Sequence, residues 1–344
     1  MTQGYCRFRQ SGTILVFTLW SLGILTIFAI QLGVIIRQKI TFVKRLDERH
    51  KLDILAKSGV KKAVKVLRKD PEFDKGVYTV SRKMHRHNNP AYFGRIYLGD
   101  GTCEISSEGL NEKRKYGEQQ YGLVDEEIKI NLNTASRSTL NNLIKNVLEC
   151  GSLTAENLAN AIYDWREFGE SELVGFSSDA YYENLRNPYP IKNSPFEVIE
   201  ELLLVKGMNG EILAKLSAYL TIYGEGRVNV NTASRVVLIS LGFDEELTDK
   251  ILSVRRGSDA IEATGDDHVF QSPADLITDL EKEVTLEPNE IAKISQINTE
   301  GKLGARSYFY LIRSKANLLK SAAQKIITCV YNTSDNKIEY WREY

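Results

Sequence analysis

The side chains that most often do chemistry are few in this 344-residue chain and poorly spaced for it. Cys6, Cys103, Cys150 and Cys329 stand far apart, without the Cys-x-x-Cys or Cys/His intervals of a zinc site, so free or buried thiols are expected. A disulfide among Cys103, Cys150 and Cys329 would require an oxidising compartment. His85-Arg86-His87 offers two imidazoles, but no third metal ligand accompanies them and the surrounding Asn/Pro-containing loop is basic, so an exposed turn is expected there. The chain has no nucleophile elbow, zinc-protease helix, Walker loop or dinucleotide fingerprint. A protein that is not an enzyme is the expectation.

Composition narrows the class further. The chain is 42% hydrophobic with only 7 Pro and no biased tract, which excludes disordered, collagen-like and small disulfide-framework proteins. Its 45 Lys/Arg and 45 Asp/Glu cancel, but unevenly: residues 125–300 hold 15 basic and 31 acidic side chains, a balance of −16, and the flanks carry +16. Such a block repels polyphosphates.

That acidic block contains a repeat. Residues 130–140 read INLNTASRSTL and residues 228–238 read VNVNTASRVVL, identical at seven of eleven positions, so an internal duplication is the economical reading. In each copy an aliphatic approach meets Asn-Thr-Ala-Ser, with Asn or Thr placed to cap a helix predicted over Arg137–Leu148 and Arg235–Leu241. Helix-hairpin-helix DNA-binding modules open in a similar way and grip phosphate with the backbone N–H groups of a Gly-rich hairpin. Leu204-Val205-Lys206-Gly207-Met208-Asn209-Gly210 is the nearest equivalent, but Glu211 follows it. Helix-entry turns are therefore the preferred reading, no nucleic acid is expected, and a membrane-anchored helix-hairpin-helix DNA-binding or uptake protein is the alternative.

From Gln10 to Ile36 nothing ionises, and Thr13–Ile36 is apolar over a length that as a helix crosses a ~30 Å hydrocarbon core. The run exceeds a secretory h-region of ~7–15 residues and lacks a small-x-small site after it, so the segment is expected to stay on the protein. Helical three-and-four spacing continues through Ile40, Val43, Leu46, Ile54, Val60, Ala63, Val64 and Leu67 to Asp70-Pro71, where Pro71 ends it. One rod from Thr13 to Lys69 is predicted, with 13–36 spanning a membrane and 37–70 amphipathic. Arg7 and Arg9 precede the span, whereas Arg37, Lys39, Lys44 and Arg45 follow it, so charge bias alone would place the C-terminal side in the cytoplasm.

Short β-rich runs flank the acidic block: Val77–Ser81, Tyr92–Leu98, Thr102–Ser106 and Ile128–Asn131 before it, Tyr308–Ser314, Lys325–Asn332 and Lys337–Trp341 after it. Asp100-Gly101 and Asp335-Asn336 mark turns. An α+β fold is expected, in which a small antiparallel sheet, split in sequence (71–124 and 301–344), packs on the rod and a large helical insert fills 125–300.

The basic leader Arg7-Phe8-Arg9-Gln10-Ser11-Gly12, ending in Gly before the apolar run, resembles the cleavage site of type IV pilins and pseudopilins. The resemblance implies that 1–12 is a leader removed by prepilin peptidase between Gly12 and Thr13. It also implies a pilin-like fold with a cytoplasmic leader and a head outside the bacterial inner membrane. Most members carry Glu at the fifth mature position; here it is Phe17. That loss resembles one branch, the general secretion pathway protein K class of type II secretion minor pseudopilins. The same branch is echoed by Asp179-Ala180-Tyr181-Tyr182, Pro188-Tyr189-Pro190-Ile191-Lys192-Asn193, Glu200–Met208 and NVNTAS in order.

By this resemblance the insert is SAM-like or helix-hairpin-helix-like. The partners are the I- and J-class minor pseudopilins, the major pseudopilin, prepilin peptidase and inner-membrane lipid. The implied role is to cap and initiate the pseudopilus that supports export of folded proteins. Some members bind calcium through this domain; of the matching positions here Asp164, Glu167 and Asp179 keep a carboxylate, with Glu170 and Glu172 nearby, and Asp164, Glu167, Glu170 and Asp179 are the expected ligand set. Calcium takes six to eight oxygens, several of them charged, so this set is depleted and a solvated acidic turn competes with it.

Overall fold

The computed structural model describes residues 11–68, 90–107, 120–167, 179–260 and 266–344. The expected strand Val77–Ser81, the His85/His87 pair, Cys6 and Pro71 lie outside them.

Helix α1 runs unbroken over Ser11–Arg68, 58 residues and about 87 Å. No intramolecular packing covers its apolar first half, and among the described residues it is the one helix long and apolar enough to cross a membrane. Burial begins at Leu52 and recurs at Leu55, Ala56, Val60, Ala63 and Leu67, the three-and-four spacing of one helical face.

That face meets the sheet. After the helical turn α2 (Pro90–Phe93) come β1 (Ile96–Leu98), β2 (Gly101–Ser107), β3 (Gln120–Tyr121) and β4 (Val124–Asp125); the closing part of the chain supplies three longer strands described below. The expected strand at Tyr92–Leu98 is thus half helical turn, because Pro90 at a first helical position favours a turn over an extended start. A 3₁₀ turn, Glu126–Ile128, shortens the expected strand at Ile128–Asn131 to β5 (Ile130–Asn131).

The insert continues with α3 (Arg137–Leu148), α4 (Ser152–Arg166), α5 (Asp179–Glu183), a 3₁₀ stretch Ile199–Leu204, α6 (Gly210–Leu216) and β6 (Leu220–Thr221). A second series follows: β7 (Val228–Asn229), α7 (Arg235–Leu241), α8 (Glu245–Arg256), a 3₁₀ turn Pro273–Asp275, α9 (Leu276–Glu281), α10 (Pro288–Thr299) and β8 (Leu303–Gly304). Among its described residues the insert is therefore helical apart from two short parallel ladders, Ile130 beside Leu220 and Val228 beside Leu303. Each ladder closes one series on itself, and both series share one apolar core.

β9 (Phe309–Leu318), β10 (Gln324–Asn332) and β11 (Lys337–Glu343) complete an antiparallel sheet ordered β1-β2-β9-β10-β11, with β3 on β2 and β4 on β9. Alternation along β9 buries Tyr310, Ile312, Ser314 and Ala316, and β10 adds Ile327, Cys329 and Tyr331; most of these side chains form one core with α1. Cys103 lies opposite Ala316, and Cys329 opposite Ile312. With β9 between their strands the two thiols are about two strand spacings apart, too far for a disulfide. Cys150 belongs to the insert, and all three are free.

Rod and sheet have a defined lower and upper end. Below, Lys51 pairs with Asp100 at 3.5 Å and Ser321 Oγ donates to Glu48. Above, Arg68 Nε donates to Tyr331 Oη at 2.8 Å, beside Tyr310 at the start of β9. The insert leaves from β4, which pairs with Tyr310 and Leu311, so it is grafted at the end of the sheet farthest from the apolar half of the rod.

Candidate functional site

Each Asn-Thr-Ala-Ser copy builds the same small device. Asn131 Oδ1 accepts the Asn133 amide at 2.8 Å, and Asn229 Oδ1 accepts the Asn231 amide at 3.0 Å, turning the chain out of its strand. The helix caps are the serines rather than the expected Asn or Thr: Ser136 accepts from the Thr139 amide and Ser234 from the Val237 amide. The Asn side chains are consumed by the turn and by tertiary bonds. Asn133 exchanges two hydrogen bonds with the backbone of Phe196, and Asn231 does the same with Phe270.

A buried arginine then locks each turn. Arg166 Nη1 and Nη2 donate to the carbonyls of Leu132 and Ala135; Arg255 Nη1 donates to those of Val230 and Ala233. The four carbonyls are equivalent in pairs, so the duplication extends well past the eleven residues visible in sequence. Burial pulls the Arg166 guanidinium below its ordinary range, with Glu167 opposing. Neither arginine is found by motif reasoning, although Asp164-Trp165-Arg166 and Val254-Arg255-Arg256 close equivalent helices.

The insert is joined to the sheet by three consecutive acids. Asp125 Oδ2 accepts from Thr232 Oγ1 at 3.1 Å and from Ser307 Oγ at 2.5 Å, and Ser307 in turn accepts from Asn229 Nδ2. Glu126 accepts from Thr221 Oγ1 and pairs with Lys129, both at 2.7 Å. Glu127 accepts the Tyr308 amide, and burial, resisted by that bond and added to by Asp125, pushes its carboxyl up to about 7. One acid thus reaches the second series, one the first, and one the sheet. Arg342 with Glu200, 3.2 Å, and the stacked Tyr223 and Phe309 make further links.

Of the expected metal set, the structure describes the side chains of two members. Asp164 lies 3.6 Å from Arg137, and Glu167 lies 3.2 Å from Arg166, so both described carboxylates already face a guanidinium. Glu170 lies outside the described residues, as does the side chain of Asp179. Among the described residues no three His, Cys, Asp or Glu gather around a common point. The Gly-rich hairpin is also committed elsewhere: Gly207 takes φ +83°, and the Lys206 amide donates to Tyr182 Oη, whose hydroxyl is pushed by burial up to about 12. An amide that would grip phosphate is spent within the fold. Gly12 sits in the first turn of α1, and Phe17 is 74% exposed farther along it.

Among known proteins, a family model described as type II secretion system (T2SS), protein K, matches residues 122–225. The type II secretion system protein K of Aeromonas hydrophila is 30% identical over 104 residues, covering 28% of this chain and 31% of that protein. The matched stretch thus spans about a third of the relative. A solved structure of the GspK-GspI-GspJ complex from the enterotoxigenic Escherichia coli type 2 secretion system contains a chain similar in fold. The TM-score is 0.60 at 14% identity, covering 88% of this chain and 99% of that one. Sequence match and fold point the same way: residues 122–225 are similar to the type II secretion system protein K family, and the fold as a whole is similar to a chain of the GspK-GspI-GspJ complex.

Proposed function

We propose that this protein is a minor pseudopilin that caps the tip of the type II secretion pseudopilus and initiates its assembly. The observation that carries the reading is the placement of the two-series insert at the upper end of the sheet, opposite the apolar half of the rod. Rods stacked by head-to-tail contacts grow without limit unless one subunit blocks the next. An insert on the upper surface is such a block, and Phe17 removes the carboxylate with which other subunits would dock beneath a predecessor. The role is structural rather than catalytic.

The same reading orients the molecule with the leader cytoplasmic and the head in the periplasm, and it makes prepilin peptidase act after Gly12. The relative of similar fold was solved in a complex with GspI and GspJ, and I- and J-class minor pseudopilins are the proposed partners here. Ile40, Val43 and Ile54 are exposed on the rod away from the side that packs on the sheet, and form the surface on which sister rods would lie. The major pseudopilin would follow beneath.

N-terminal sequencing of protein extracted from membranes should start at Thr13, and gold labelling of the head should mark one extremity of each filament. Labelling uniformly along the filament would overturn the cap. An intact leader would overturn the pseudopilin processing.

A further inference from the structure

We infer that the basic residues just above the span form a collar that binds the headgroups of anionic phospholipids. Between Arg37 and Leu46 the chain carries Arg37, Lys39, Lys44 and Arg45 and no acid; Asp47 is the first carboxylate after the apolar run. Every residue from Val34 to Asp47 is exposed, and the head makes its first buried contact with the rod only at Leu52. Among the described residues only Lys44 of the four is paired, at 3.9 Å from Glu48, and it remains 73% exposed.

The positions suit a lipid surface better than a partner helix. At about 100° per residue, Arg37, Lys39, Lys44 and Arg45 fall at roughly 0°, 200°, 340° and 80° around the axis. The charges ring the rod instead of lining one side, whereas a partner helix would need a stripe. Taking Ile36 as the edge of the hydrocarbon, Arg37 and Lys39 stand about 2–5 Å above it and Lys44 and Arg45 about 12–14 Å. Helical side chains lean toward the N-terminus, which here is toward the bilayer, so the long cationic stems reach back into a headgroup layer about 5–8 Å deep. Anionic headgroups supply the countercharge that the protein lacks. The collar also accounts for a span flanked by more cations on its head side than on its leader side.

The full chain, reconstituted into phosphatidylcholine vesicles with and without 20% phosphatidylglycerol, tests this. Spin-labelled phosphatidylglycerol should associate with the protein about tenfold more than spin-labelled phosphatidylcholine. The preference should vanish in R37Q/K39Q/K44Q/R45Q and at high salt, but persist in K61Q/K62Q/K65Q, whose lysines lie farther up the rod. Immobilised phosphatidylcholine in every variant reports that the span is inserted. Equal association of the two lipids, or a preference that survives in the four-site variant or is lost in the upper-rod variant, would overturn the collar.

Discussion

Gly59 of the rod lies directly over Ser314 of β9: a Cβ built at Gly59 would stand 2.1 Å from Ser314 Oγ and 3.2 Å from Ser314 Cβ. This is where helix and sheet approach most closely among the rod's glycines, in the row formed by Ile105, Ser314 and Ile327. The hydroxyl can rotate away but the Cβ cannot. Gly59→Ala should therefore cost about 1–2 kcal/mol by overpacking, despite alanine's better helix propensity. Thermal unfolding of the detergent-solubilised chain checks it, and S314G in the same chain should recover part of the loss.

Ser314 carries a second consequence. It is fully buried and its hydroxyl has no hydrogen-bond partner. A buried polar atom without a partner costs about 1–3 kcal/mol, so Ser314→Ala should stabilise the head by about 1 kcal/mol, read as a raised denaturation midpoint at unchanged slope.

The joint at Glu127 makes stability depend on pH. Its carboxyl titrates at about 7 in the folded chain against an ordinary 4.5. Between those values the folded state holds the proton and the unfolded state does not, so stability falls as pH rises through the window. The contribution is complete below about 4.5 and gone above about 7. Glu127→Gln keeps an acceptor for the Tyr308 amide and removes the buried charge. It should stabilise the protein at pH 8 by on the order of 2 kcal/mol and flatten the profile between pH 4.5 and 7, seen in urea midpoints across that range.

Much of this architecture was legible because its signals are local. The 3.6 period carried α1 to Arg68, and the repeated Asn-Thr-Ala-Ser placed α3 and α7 at their observed bounds. Asp100-Gly101 and Asp335-Asn336 gave their turns, with Gly99 and Asn336 at positive φ. Long-range partners were illegible. Asp125 meets Ser307 across 182 residues, and an Asp-Glu-Glu run reads as solvated until its hydroxyl partners are known. Ser136 and Ser234 displaced Asn as caps because tertiary bonds to Phe196 and Phe270 had already claimed the amides. The pairing of Asp164 with Arg137 was illegible too, because the two meet only after α3 and α4 pack.

Arg166 and Arg255 should be equivalent in consequence. Removing either leaves two buried carbonyls without their donors, so R166A and R255A should each cost about 3 kcal/mol. Hydrogen exchange should localise the loss, with amides near Leu132 and Ala135 losing protection in the first variant and those near Val230 and Ala233 in the second. The shared apolar core predicts some spread between the two series, but a loss confined to the wrong series would contradict the duplicated geometry.

On the rod, assembly can be separated from folding. Val43 and Ile54 are 62% and 52% exposed and contribute nothing to the core between α1 and the sheet. Val43→Asp and Ile54→Asp should therefore leave the unfolding midpoint of the isolated protein within about 0.5 kcal/mol of its parent, as surface changes do. In a sister-rod interface each would bury an unpaired carboxylate, which costs several kcal/mol. Co-purification with I- and J-class minor pseudopilins should then fall at least tenfold while membrane insertion is retained. Leu55→Asp supplies the converse, since Leu55 is buried against the sheet and its loss should unfold the head before assembly is attempted. Undiminished co-purification of Val43→Asp and Ile54→Asp would place sister rods on another face.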